Sequence, residues 1–400
     1  MKTRLRICIS ATVTSAIAAC FLLAPASSNA IPAWTRKYDM PCTSCHFNGT
    51  NRLTKFGKDF LVRGDRTMDA DAKVDLSKAS LGNYASIASK VRFEADKDAD
   101  PSTKFDVEAL SLYSGGPIDE HFSYFFEIYL HERGKEATSG GGTLDTAVRE
   151  KLAEGYVLYN SAPTQPNFWF VRAGSYTPRF IHQLSTGGRA SVSRPRILND
   201  VVGGGNLYTP RDRFYGLAGG FVTKEGITTE FGITNGGGGN QRPNQGENNN
   251  AKDVWGTVEY AFDEYGSNVG IYAYSGTYPI TGPPAYQDKF SRIGIGGALV
   301  RDAFEFSGAY FTGRNTTSTG SHYTPRGWYA ELAYNVAPLV TAFARYDSFD
   351  NDKDPVKTGG AIGLSYRLAG FGRIVIEGTQ TRQKGHKTAN GLMIELNWLF

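Results

Sequence analysis

Residues 42–46 read Cys-Thr-Ser-Cys-His. At this C-x-x-C-H spacing two thiols can add to the vinyl groups of one porphyrin while the adjoining imidazole turns beneath its iron. The chemistry implied is covalent attachment of one haem c, with Cys42 and Cys45 as tethers and His46 as the proximal ligand. His46 is therefore the residue expected to carry the redox chemistry, the iron cycling between ferrous and ferric states. Three other uses of the pair compete: a disulfide, a thioredoxin-like couple, or half of a zinc site. Zinc needs a further Cys or His cluster, which the sequence lacks, and a redox couple needs a surrounding βαβ unit. A sixth iron ligand is expected farther along the chain. Met68 is the nearest plausible donor, since Met40 lies close to the attachment site. An open position, or a histidine from His121, His131 and His182, satisfies the same chemistry.

Haem attachment of this kind belongs outside the cytoplasm, and the N-terminus fits. Residues 1–30 have a basic start (Lys2, Arg4, Arg6), an apolar stretch from Ile7 to Leu23 and a small-residue exit at Ser28-Asn29-Ala30, which is the anatomy of a secretory signal. Ile31 is expected to begin the mature chain. Ile17-Ala18-Ala19-Cys20 resembles a lipoprotein cleavage box, but Phe21-Leu22-Leu23 carries the apolar core straight past it. Cys8 and Cys20 leave with the signal, so of four cysteines only the motif pair remains.

The residues that must position the motif follow it. Leu53, Phe56, Phe60 and Leu61 fall at helical spacing, with Lys55, Lys58, Asp59 and Arg63 opposite. Thr50 or Asn51 is read as the cap of this helix and Gly64 as its end. The segment 31–78 is too small to stabilise itself on one haem, so it is expected to lean on the rest of the chain.

That remainder, 79–400, is read as a barrel. Gly is 47 of 400 residues and Phe, Tyr and Trp number 24, 22 and 5, a composition of strands and turns. Without residues 1–30 the chain is almost neutral, which argues against nucleic acid as a partner. No apolar run after the N-terminus is long enough for a membrane helix. Alternating segments begin near 82, 105, 121, 149, 167, 212, 226, 252, 267, 290, 303, 326, 338, 358, 371 and 389. In the last of them Leu392, Ile394, Leu396, Trp398 and Phe400 alternate with Met393, Glu395, Asn397 and Leu399. Connections after even-numbered segments are brief. Those after odd-numbered segments, such as Arg133 to Thr146, Tyr176 to Pro210 and Asn235 to Ala251, are long and polar. Short periplasmic turns and long outer loops have this asymmetry. The expected fold is all-β, a 16-stranded transmembrane antiparallel barrel facing outer-membrane lipid, with the helical c-type cytochrome segment plugging or capping its lumen.

At its mature N-terminus the chain resembles the fused outer-membrane monohaem cytochrome–porins of iron-oxidising bacteria. The likeness rests on Ile31-Pro32-Ala33-Trp34-Thr35-Arg36-Lys37-Tyr38, Met40, Cys42 to His46, Leu53, Phe56-Gly57, Phe60 and Gly64. It departs from the family pattern at Asn51-Arg52, where Pro often precedes the Leu, and at Thr54, where Asn is common. The resemblance implies an oxidoreductase at the cell surface, taking electrons from extracellular ferrous iron and passing them through one haem to a periplasmic cytochrome or other carrier. Two alternatives stay open at this level: another extracellular donor or acceptor, and a diffusion porin merely plugged by its haem segment.

Other motifs carry less. The run Gly236 to Gly239 lacks the Lys-Ser/Thr of a phosphate loop and reads as an outer loop. Asp96, Asp98 and Asp100, or Asp347, Asp350, Asp352 and Asp354, could attract cations at the rim. His182 and His322 lack a paired nucleophile, so a lipase-like site is not expected.

Overall fold

The computed structural model describes residues 33–47, 52–68, 80–132, 152–185, 189–236, 249–368 and 372–399. The signal segment, the stretches 133–151 and 237–248 at the expected outer loops, and Phe400 fall outside them, as does the stretch 69–79 where the two mature segments were expected to meet.

Sixteen long strands and one two-residue piece, His322–Tyr323, form a single 17-stranded sheet. The long strands are β1 Ala85–Ala95, β2 Thr103–Pro117, β3 Phe122–Glu132, β4 Leu152–Asn160, β5 Phe168–Tyr176, β6 Phe214–Val222, β7 Ile227–Asn235 and β8 Lys252–Ala261. They continue as β9 Asn268–Ile280, β10 Tyr286–Arg301, β11 Phe304–Thr316, β12 Arg326–Ala337, β13 Val340–Asp350, β14 Lys357–Arg367, β15 Arg373–Gln383 and β16 Ala389–Leu399. Each pairs antiparallel with its sequence neighbours, and β1 closes on β16 from Ala88↔Leu399 to Ala95↔Leu392. The result is the expected closed 16-stranded barrel, which leaves no sheet edge to find other partners.

Alternation sets the two faces. In β10, Ile293, Ile295 and Leu299 are exposed while Arg292 and Ala298 are buried. In β16, Leu392, Ile394, Leu396 and Trp398 point outward and Glu395 inward. A continuous outer wall of Ile, Leu, Val and aromatic side chains is the surface a barrel shows to hydrocarbon. No helix among the described residues is long and apolar enough to cross a membrane.

One expectation changes here. The chain from Tyr176 to Pro210 was read as an outer loop, but its described residues fold into the lumen. This segment carries the short helices α5 (Arg179–Ser185) and α6 (Arg196–Asn199), and Phe180, Ile181, Leu184 and Leu198 are buried. The reason is pairing. The Ala190 amide and Ser191 hydroxyl donate to Glu331 of β12, the Val192 and Ser193 amides donate to Glu377 of β15, and Arg345 of β13 binds Ser191 and Ser193. Wall carboxylates thus find partners on the segment that crosses them. Aromatic side chains line the inside as well as the outer wall. The ring of Tyr208 of the inner segment lies 4.5 Å from that of Tyr274, tilted against it, and 4.9 Å from Phe290, inside a cluster that includes Trp255, Tyr272, Phe311 and Phe349.

Candidate functional site

The N-terminal segment forms three helices: α1 (Ala33–Tyr38), α2 (Cys42–Cys45) and α3 (Lys55–Val62). A fourth, α4 (Leu81–Tyr84), leads into β1. The cap of α3 is Thr54, not Thr50 or Asn51. Its hydroxyl accepts from the Gly57 amide at 3.1 Å and donates to the Ser44 carbonyl at 2.7 Å. The helix starts late because His46 and Leu53 first pair as an antiparallel bridge, joined by Phe47 N to the Arg52 carbonyl at 2.8 Å. One threonine therefore ties the start of α3 to the C-x-x-C-H motif. Gly64 ends α3 as expected, with φ +82°.

Gly57 fixes the approach of the two helices. A Cβ there would sit 2.3 Å from the Cys45 carbonyl oxygen, a distance at which backbone has to move. Gly57→Val is expected to push α3 off the motif at a cost of ~1–3 kcal/mol. Hydrogen exchange localised to residues 52–62 checks this; protection there equal to wild type refutes it.

The segment docks at the end of the barrel that carries the brief turns. Arg66 donates to the carbonyls of Asp119, Glu120 and Phe122 at 3.0, 2.6 and 2.9 Å, and Arg63 to Pro163 and Gln165 at 2.6 and 2.7 Å. Lys58 reaches Glu259 at 2.9 Å and the Gly266 carbonyl at 3.0 Å, and Arg52 pairs with Glu305. On the other side of the helices, Trp34 meets Phe60 edge-on at 5.5 Å and donates to the Gly115 carbonyl at 3.1 Å. The cations Lys58 and Arg63, opposite the apolar face of α3, are among its anchors. Turn carbonyls have lone pairs to spare, and several such bonds to guanidinium groups hold a small segment that has little core of its own.

Asp65 sits at this interface, buried and in the left-handed region at φ +59°. Burial pushes its carboxyl up to about 7, against the pull of Arg179, Lys37 and Arg66. A carboxyl raised in the folded state binds its proton more tightly there than in the unfolded chain. Its contribution is thus fully present at acid pH and declines between the ordinary Asp value and about 7. Docking of the segment is expected to weaken by several degrees in Tm from pH 5 to pH 8, and Asp65→Asn, tolerated at that φ, to flatten the slope. Identical profiles for the two proteins refute it.

Between the segment and the lumen lies a cavity of about 530 Å³, within the range of ligand sites. Cys45 and His46 line it, as do Met40 and Met68 and the apolar side chains of Leu53, Phe60, Leu61 and Val62. Met68 is 44% exposed at the rim. Of the barrel histidines, His182 on α5 lines the same cavity. Burial, reinforced by Arg213, holds its imidazole down at about 4, so it stays neutral, the form that ligates metal. His121 and His131 are engaged at the wall, with the Asn160 and Val107 carbonyls. The donor set of thiol, imidazole and thioether around a chamber lined by both apolar and charged side chains fits a c-type haem: Cys42 and Cys45 would hold its edge and His46 its iron, with Met40, Met68 and His182 placed as donors around the same chamber.

The acidic residues singled out at the rim have other work. Asp347 is buried in the lumen against Arg345 at 3.0 Å and Arg196 at 3.1 Å. Asp350 pairs with Arg326, Asp352 accepts from the Thr324 amide, and Asp98 pairs with Lys97 and Lys387. No group of three or more His, Cys, Asp or Glu able to hold a metal occurs among the described residues.

No protein-family model and no curated protein matches the chain. Solved structures do share its fold. An anion-selective porin from Comamonas acidovorans superposes with a TM-score of 0.57 at 12% identity, covering 79% of this chain and 98% of its own. A Salmonella typhi OmpF structure in complex with daunomycin gives 0.55 at 11%, covering 79% and 97%. The outer-membrane channel DcaP of Acinetobacter baumannii gives 0.54 at 11%, covering 79% and 96%. The barrel is therefore porin-like in fold.

Proposed function

We propose that this chain is a blocked outer-membrane barrel that carries one c-type haem at its periplasmic end and works as an electron conduit, taking electrons from ferrous iron at the cell surface and passing them to a periplasmic carrier. The observation that supports it is the shared cavity: Cys45 and His46 of the C-x-x-C-H motif line a chamber whose other walls are barrel and inner-segment side chains. When bound, a haem supplies a one-electron ferric/ferrous couple there.

The chain's own residues do the rest. Cys42 and Cys45 tether and His46 ligates. Arg52, Lys58, Arg63 and Arg66 lock the segment onto the wall and turns so that the site keeps its place in the mouth. The inner segment, with its aromatic cluster, fills the lumen above and keeps solutes from crossing. A donor outside then meets a redox centre set into the barrel, with the remaining depth spanned by packed protein. Ferric products precipitate near neutral pH, so oxidation of iron outside the cell keeps the product out. Location in the outer membrane is supported by the lipid-facing wall and by solved neighbours of this fold that include outer-membrane proteins.

The test is an optical titration of the intact, detergent-solubilised protein with ferrous iron. Reduction of the haem bands, stoichiometric with added iron, is expected. Covalent haem that ferrous iron leaves oxidised at every pH overturns the iron reading, and a chain matured in a haem-attaching host that carries no covalent haem overturns the conduit itself.

A further inference from the structure

Across the cavity from the motif, three donors share one rung of the sheet. Lys90 of β1 is paired in register with Asn397 of β16, and Asn397 with Arg373 of β15. All three line the cavity, with Arg189 and Arg194 of the inner segment beside them. Arg373 is buried, and neither its Nε nor its Nη1 has a hydrogen-bond partner; the Nε of Arg194 has none either. Such donors in a closed interior are costly unless something accepts from them.

The carboxylates that face this cluster are committed elsewhere. Glu395 of β16 is bound by Arg92 at 2.7 Å, and Glu127 of β3 by Tyr113 at 2.6 Å and Arg213 at 3.0 Å. Glu331 of β12 accepts from Ala190 and Ser191, and Glu377 of β15 from Val192 and Ser193. The rung is thus a set of cationic and amide donors whose nearby anions already have partners. The site left over is for carboxylate oxygens, which guanidinium and ammonium groups bind by charge-assisted hydrogen bonds.

We propose that Lys90, Asn397 and Arg373, with Arg194 from the inner segment, form a carboxylate site for the two propionate groups of the haem tethered at Cys42 and Cys45. This rests on the haem reading above and adds to it an orientation: the propionate edge faces the lumen and the β1, β15 and β16 wall. The cluster acts through the propionates, so these are positioning residues. By offsetting two negative charges beside the iron they favour the ferrous state.

The experiment is spectroelectrochemical titration of the holoprotein from pH 5 to 8, comparing wild type with Arg373→Gln, Lys90→Gln and Arg373→Lys. Heat-modifiable gel mobility confirms barrel assembly, and either Gln variant that assembles suffices. Each Gln variant is expected to shift the ferric-to-ferrous ratio about tenfold toward ferric at fixed ambient potential, ~59 mV for a one-electron couple. Each is also expected to acquire a pH-dependent potential as a propionate begins to titrate, and Arg373→Lys to restore most of the wild-type behaviour. Covalent haem with wild-type potential and pH profile in both Gln variants overturns the propionate site and leaves the haem reading intact; wild type without covalent haem removes both. A wild-type potential that responds to millimolar inorganic phosphate shows a cluster open to free anions, and also overturns the proposal.

Discussion

Replacing both Cys42 and Cys45 with alanine is expected to give a barrel that assembles but carries no covalent pigment, with the ferrous-iron absorbance change lost entirely. None of the sixteen wall strands depends on α2: closure runs through β1 and β16, and the segment's anchors come from Arg52, Lys58, Arg63 and Arg66. The placement of α2 depends on Thr54, whose hydroxyl and amide donate to the carbonyls of Ser44 and Cys45, and on Gly57, which leaves room for that approach. Either single variant keeps one thiol for attachment and is expected to retain part of the pigment, whereas His46→Ala keeps both tethers and loses the proximal ligand. Haem-dependent peroxidase staining after denaturing electrophoresis reads the covalent bond, and heat-modifiable mobility of the same samples reads the barrel. Pigment that survives denaturation in the double variant would show that some other group holds it.

The barrel was legible because lipid imposes a period of two on every strand. Segment starts read from alternation lie close to those observed, and the largest discrepancy is at β10, read from Phe290 and found to begin at Tyr286. The polar residues Gln287, Asp288 and Lys289 hide that first part, where Asp288 faces inward to hold Asn206 and Asn315. Alternation does not say which aromatic face meets lipid when both faces have aromatics. In β9 the lipid face is Val269 and Ile271, while Tyr272 and Tyr274 turn to the lumen. Nor does it show that the segment after β5 turns inward. That segment has the composition of an outer loop, and the carboxylates that draw it in, Glu331 and Glu377, lie far away in sequence. At the site, the motif and Gly64 were readable as local patterns. The anchoring role of Lys58, Arg63 and Arg66 was not, because a basic residue on an amphipathic helix looks the same whether it faces water or a ring of turn carbonyls.

Opening the barrel should require removing two obstacles. The intact protein is expected to stay at the closed baseline in planar bilayers. Deleting the N-terminal segment alone leaves the inner segment in place, tied to β12, β13 and β15 through Glu331, Arg345 and Glu377 and to β9 through the 2.9 Å contact of Tyr208 with Tyr272. Replacing residues 178–210 with a short Gly-Ser turn leaves the mouth still covered by α1 to α3. Only the combined deletion is expected to give large, steady, porin-like conductance, since an unfilled barrel of sixteen strands has an aqueous lumen. Glu331 and Glu377, which lose the inner-segment donors that bind them, then meet water and not a dry interior, so assembly should survive where a buried unpaired charge would not. With those carboxylates freed and Arg179, Arg189, Arg194 and Arg196 removed, the opened pore is expected to favour cations over anions. Porin-like conductance from the intact chain would instead mean that neither element blocks the lumen, and the conduit reading would give way to that of a diffusion channel.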